Sequence, residues 1–213
     1  MARIAKFNHA QIVDATAKLA ARTGPAQVTM ARIAEALGAP TGSIYHRFAS
    51  RDELLGEVWL QTAQAFQDEF GERLAGEDPW QAGLEAALFV PARVRRKPDE
   101  ARLLLLHRRS DFLTAGWPAA MADRAAGLKR QVDAGLRSFC KRLLQRSDGE
   151  TRRTVRYALI DAPMAAVLPH LRAQEAPPPL VDALIRTTYE AVMRQAGAAP
   201  ASRRANSIKG DKR

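Results

Sequence analysis

The stretch TMARIAEALGAPTGSIYHRF, Thr29 to Phe48, decides how the chain is read. Thr29 has the hydroxyl that caps a helix N-terminus. Ile33 and Leu37 then fall four residues apart on one helical face. Gly38 supplies a turn position that tolerates positive φ. A second short helix follows to about Phe48, with Ile44 and Phe48 repeating the four-residue spacing. Burying Ile33, Leu37, Ile44 and Phe48 fixes the angle between the two helices, which is the pattern of a helix-turn-helix unit. Thr41, Gly42, Ser43, Tyr45 and His46 are left facing outward. Hydroxyls and an imidazole suit phosphate oxygens and base edges, and Gly42 lets another backbone approach closely.

Helical signals continue on both sides. Ile12, Thr16, Leu19 and Ala20 mark one face of a first helix over about 8–22, ended by Gly24-Pro25. Ser50-Arg51-Asp52-Glu53 reads as a capping box opening a long fourth helix. Arg51, in that first turn, can pair with a phosphate. Asp78-Pro79, Pro98 and Pro118 suit further helix starts, and Ser147-Asp148-Gly149-Glu150 reads as a second capping box. Pro177-Pro178-Pro179 precedes a last helix of about 180–196, closed by Gly197. There is no run of β-branched alternation. The expected fold is all-α, with about nine helices. Pro91, Pro163 and Pro169 lie inside helical stretches, where they either accommodate packing or open a cavity.

Charge is distributed unevenly. Residues 1–51 hold seven Lys and Arg against Asp14 and Glu35, whereas residues 52–78 hold eight Asp and Glu against Arg73 alone. A basic block followed by an acidic one attracts a polyanion at one end, or is simply an uneven solvated surface. The formal net charge of +10 also admits a nonspecific DNA-coating protein. The single cysteine, Cys140, excludes a disulfide framework, and His9, His46, His107 and His170 form no metal or nucleophile spacing. No catalytic residue, metal or cofactor is expected. No apolar run is long enough for a membrane span, and Met1–Phe7 lacks the apolar region of a secretory signal, so a cytoplasmic protein is expected.

The pattern Thr29-x-x-x-Ile33-Ala34-x-x-Leu37-Gly38, then Gly42-Ser43-Ile44-Tyr45-His46-Arg47-Phe48, then Arg51-x-x-Leu54-Leu55, resembles the DNA-binding domain of TetR/AcrR-type transcriptional regulators. The resemblance covers roughly residues 8–60. It implies that Thr29, Ser43, Tyr45, His46 and Arg51 contact the DNA backbone and that Thr41 and Gly42 face the bases. The family often carries Ser-Lys before the glycine; Pro40-Thr41 here removes a usual cap and a cationic contact.

The resemblance also implies three regions: a helix-turn-helix domain over 1–51, a helical ligand-binding and dimerisation domain over 52–196, and a disordered basic tail over 197–213. The implied partners are a double-stranded DNA operator, a second copy of the chain in a homodimer, and an apolar small-molecule effector. Phe89, Leu103, His107, Phe112, Trp117, Tyr157, Asp161 and Met164 are the pocket candidates, with ordinary core packing as the alternative. Arg93, Arg95, Arg96 and Lys97 either meet an anionic ligand or complement a helix C-terminus. The dimer candidates are Val155, Leu159 and Ala162 on one helix and Leu180, Leu184 and Val192 on the last. Such stripes are equally what a core-facing helix shows.

Overall fold

The computed structural model describes residues 7–112 and 117–200. The helices are α1 (His9–Thr23), α2 (Met30–Leu37), α3 (Thr41–Tyr45), α4 (Arg51–Leu74), α5 (Pro79–Arg96), α6 (Pro98–Leu105), α7 (Arg109–Phe112), α8 (Ala119–Leu144), α9 (Gly149–Arg156), α10 (Ala162–Ala173) and α11 (Pro179–Gln195). A π-helical segment, Tyr157–Asp161, joins α9 to α10 without a break. The fold is all-α, with ten continuous helices among the described residues and one 3-10 turn, Pro25–Gln27. The short α7 was not foreseen.

The chain divides into two compact units. One holds residues 1–65 and 97–128. Its core gathers Ile12, Leu19, Val28, Ile33, Ile44, Phe48, Leu54, Leu55 and Val58 from α1 to α4, together with Leu103 of α6 and Phe112 of α7. Each such side chain contributes roughly 1.5–3 kcal/mol on burial. Because α6 packs on α1, the unit is larger than the expected domain over 1–51. A second cluster in it joins Leu60 and Ala63 to Met121, Ala125 and Leu128.

The other unit holds residues 66–96 and 129–213. Here α5 packs against α10 and α11. Tyr189 is fully buried and donates its hydroxyl to the Trp80 carbonyl oxygen at 2.8 Å. Gly83 is required beside it, since a Cβ there would run into Tyr189 and Phe139. Pro163 lies two residues past the π-helical segment. Proline has no N–H to give and its ring crowds the carbonyl of the preceding turn, and the widened π turn accommodates both. Pro91 is tolerated inside α5, where it is buried.

Several starts follow the sequence. Thr29 caps α2, its hydroxyl accepting from the Arg32 N–H at 3.2 Å, and Gly38 ends that helix at φ 61°, ψ 37°. Asp78 accepts from the Trp80 N–H at 2.9 Å. The box expected at Ser147 is shifted by one residue. Asp148 is the cap, accepting from the Thr151 N–H at 2.9 Å and its hydroxyl at 2.6 Å. Those bonds, Thr151's side chain first and its backbone next, hold the Asp148 carboxyl at about 2. A carboxylate presents a separate oxygen to each donor, and its charge strengthens both bonds, whereas a hydroxyl has one neutral oxygen. Gly197 closes α11 at φ 92°, and Ala198 beyond it is buried, so the chain stays packed past the expected start of the tail. The rest of that tail, 201–213, lies outside the described residues.

Candidate nucleic-acid interface

The helix-turn-helix is held from beneath. Ile33 and Ile44 are fully buried and Phe48 nearly so, with His9 of α1 against the Phe48 ring at 4.5 Å between centroids. These anchors lock α3 against α2 and leave its other face outward. Thr41, Gly42, Tyr45 and His46 are exposed and Ser43 is half-buried. Tyr45 is 54% exposed, which is unusual for an aromatic side chain with no partner on its own surface.

The start of α3 reflects Pro40-Thr41. Pro40 stands at the N-cap and no side chain caps the helix. Ser43 compensates in part, its hydroxyl donating to the Pro40 carbonyl at 2.7 Å while its N–H bonds the same oxygen at 2.9 Å. The Ser43 carbonyl in turn accepts from Arg47 at 3.0 Å. This short polar turn positions the exposed backbone of Thr41 and Gly42.

Arg51 is placed differently from the sequence expectation. Its Nε donates to the Val28 carbonyl at 2.6 Å, Nη2 to the Pro25 carbonyl at 2.6 Å and Nη1 to Asp52 at 2.8 Å. The guanidinium therefore ties the start of α4 to the 3-10 turn before α2. Thr29 is exposed while its hydroxyl serves as the α2 cap. Ser50 caps α4 as expected, accepting from the Glu53 N–H at 3.0 Å, but Glu53 closes the box one residue early, accepting from the Ala49 N–H at 2.7 Å rather than from that of Ser50.

The pocket candidates fall in both units. In the first, Leu103 and Phe112 belong to the core around Ile12, and His107 stands edge-on to Phe112 with centroids 6.2 Å apart. Trp117 lies 6.4 Å from Trp59, with the Arg109 guanidinium over both rings, and its buried indole N–H has no partner among the described residues. In the second, Phe89 is buried against Phe66 at 5.1 Å and Met164 is half-buried. Tyr157 and Asp161 are exposed, Asp161 near Arg156 at 3.4 Å.

The basic run closing α5 is spent inside the subunit. Arg93 is only 1% exposed and pairs with Glu69, which also takes Arg96. Arg95 pairs with Asp182 at 2.9 Å, and Lys97 with Glu100 at 3.0 Å. The burial of Arg93 was missed, although its position four residues after Phe89 places it on the inner face of α5.

Of the dimer candidates, Val155 and Leu159 are buried in their own subunit. Ala162 and Val192 are half-buried. Leu180 and Leu184 are exposed by 65% and 55%. The inner face of α11 is instead Val181, Ile185, Tyr189 and Met193, one residue out of phase.

Three buried anchors, Ile33, Ile44 and Phe48, with half-buried Leu37 beside them, beneath a short outward polar helix have the geometry of a helix-turn-helix unit. Residues 12–58 match the family of bacterial regulatory proteins, tetR family. The fold over 86–89% of the chain is shared with transcriptional regulators of known structure. FadR from Bacillus subtilis, in complex with stearoyl-CoA, is 14% identical, with TM-score 0.67 over 87% of this chain and 98% of that one. PfmR from Thermus thermophilus, a TetR family regulator, is 19% identical, with TM-score 0.63 over 86% and 97%. A regulator from Rhodococcus sp. Rha1 is 17% identical, with TM-score 0.68 over 89% and 97%. No curated protein matches in sequence. The tetR-family match thus covers the helix-turn-helix segment, and the fold around it is one these regulators share. No helix among the described residues is long and apolar enough to cross a membrane.

Proposed function

We propose that the protein is a repressor that binds a palindromic operator as a homodimer and is released by a small apolar effector. The observation that carries the DNA half is the outward face of α3, where Thr41, Gly42, Tyr45 and His46 stand exposed above a fully buried Ile44. A rigid short helix of this kind enters a major groove with its polar side chains on base edges and phosphates. Thr41 and Gly42 face the bases, and Ser43, Tyr45 and His46 hold the backbone. Arg51 keeps the α4 start in place rather than reaching for a phosphate.

One such helix covers little DNA, and two related by a two-fold axis reach half-sites about 34 Å apart. Leu180 and Leu184 support the dimer, since two large aliphatic side chains exposed on one helix face gain by meeting their symmetry mates. The stearoyl-CoA bound to FadR from Bacillus subtilis supports an effector with a long apolar part. Release follows if the effector binds better to a state whose recognition helices no longer match the grooves. Differences of roughly 1–3 kcal/mol between states are enough.

Selection of bound duplex from a random pool tests the reading. A specific regulator recovers one palindromic site and keeps it against competitor DNA. A coating protein recovers no consensus and loses its DNA to competitor and salt. Screening small molecules for release of the selected duplex then tests the effector half.

A further inference from the structure

Four arginines come together away from the helix-turn-helix. Arg137 of α8 and Arg152, Arg153 and Arg156 of α9 line a cleft of about 340 Å³, with Leu136 and Asp133 completing its wall. The carboxylate of Asp133 pairs with Lys129 at 2.8 Å and also faces the charges of Arg137 and Arg156. Arg156 has Asp161 beside it at 3.4 Å. For Arg137, Arg152 and Arg153, no carboxylate lies within ion-pairing distance among the described residues. Elsewhere the chain pairs its clustered arginines: Arg93, Arg95 and Arg96 all meet Glu69 or Asp182.

Gathering like charges in this way works against folding. Arg152 and Arg156 are four residues apart on one helix, a spacing at which like charges repel. Arg137 adds a third guanidinium from a facing helix. Local repulsion of this kind is relieved when an anion enters, and the guanidinium fork matches phosphate oxygens two at a time. The cleft falls within the roughly 300–1,000 Å³ of small-molecule sites. Three guanidinium groups of five N–H donors each offer more donors than one phosphate can accept, and a chain of linked phosphates uses more of them.

We infer that the cleft between α8 and α9 binds a small molecule carrying a di- or triphosphate, with Arg137, Arg152 and Arg153 holding its oxygens. This site is separate from the apolar effector reading and does not depend on it. The shared chemistry is the polyphosphate group, whether free or borne by a nucleotide.

Calorimetric titration of the full chain at low ionic strength tests it, with tripolyphosphate, ATP, inorganic phosphate and duplex DNA as separate probes. Tripolyphosphate should bind saturably at one per chain, at least tenfold more tightly than inorganic phosphate. Tighter binding of ATP assigns the site to nucleotides, and equal or weaker binding assigns it to the free polyphosphate. The double variant Arg137→Gln/Arg152→Gln should weaken tripolyphosphate at least tenfold. Arg172→Gln/Arg186→Gln removes the same charge elsewhere and should change it less than twofold. If the first double variant does not fold, Arg153→Gln alone should weaken binding at least threefold. Absence of saturation, equal loss in both double variants, or phosphate binding as tightly as tripolyphosphate would overturn the proposal. So would a loss of duplex affinity in Arg137→Gln/Arg152→Gln with tripolyphosphate unaffected, which would give the cleft to nucleic acid.

Discussion

Arg51 Nε donates to the Val28 carbonyl oxygen across 2.6 Å, joining two segments that flank the helix-turn-helix. A second bond to the Pro25 carbonyl at 2.6 Å makes the guanidinium a clasp between the α4 start and the turn before α2. Hydrogen bonds with a charged partner each contribute roughly 1.5–3 kcal/mol. Arg51→Ala is therefore expected to lower stability by about 2 kcal/mol in urea denaturation. Arg51→Lys should recover less than half, because an ammonium cannot span both carbonyls. Stability equal to that of the unaltered chain, with only DNA affinity reduced, would return Arg51 to the role of a phosphate contact.

The sequence made the N-terminal half legible because its signals were local. Thr29, Gly38 and Ser50 each act on backbone within a few residues, and Ile12, Ile33 and Ile44 sit on unambiguous inner faces. On α11 the sequence offered two neighbouring apolar stripes. Leu180-Leu184 and Val181-Ile185 differ by one residue, and only the packing of α5 decides between them. The partners of Arg51, 23 and 26 residues away in sequence, left no local trace. Nor did the convergence of Arg137 and Arg152 on one cleft, which comes from two different helices.

Gly83 and Gly71 should respond in opposite directions to alanine. At Gly83 the new methyl meets Tyr189 and Phe139 in the closed core of the second unit. Overpacking there is expected to cost about 1–3 kcal/mol. At Gly71, an exposed position in α4, nothing lies within 4 Å, and alanine should stabilise by roughly 0.5–1 kcal/mol. Thermal melts of the two variants against the parent check both signs.

Asp148 gives the second unit a defined acid sensitivity. Its carboxyl lies at about 2 in the folded chain, against about 3.9 for an unfolded aspartate. A lowered folded value means a contribution present in full above about pH 4 and lost as the pH falls through about 2. Asp148→Ala should therefore be less stable than the parent at neutral pH, and the gap should narrow between pH 4 and pH 2. Parallel stability curves across that window would show that the Thr151 cap contributes nothing through this carboxylate.

Leu180→Glu/Leu184→Glu should convert the chain to a monomer without unfolding it. Both side chains are more than half exposed, so the charges remain in water within one chain, but in the proposed dimer they would face each other across the two-fold axis. Sedimentation velocity reads the outcome. A dimer that persists in the folded variant would place the interface elsewhere.

Tyr45 carries the most direct test of the outward face of α3. The measurement is the affinity of Tyr45→Ala for the selected operator duplex, by fluorescence anisotropy at fixed salt with competitor DNA present. With 54% of its surface exposed, Tyr45 adds little to the fold, so the melting temperature should stay unchanged. Operator binding should weaken by roughly 1–3 kcal/mol, which is about 5- to 150-fold. A folded variant that holds the operator as tightly as the parent would contradict the assignment of this helix face to DNA.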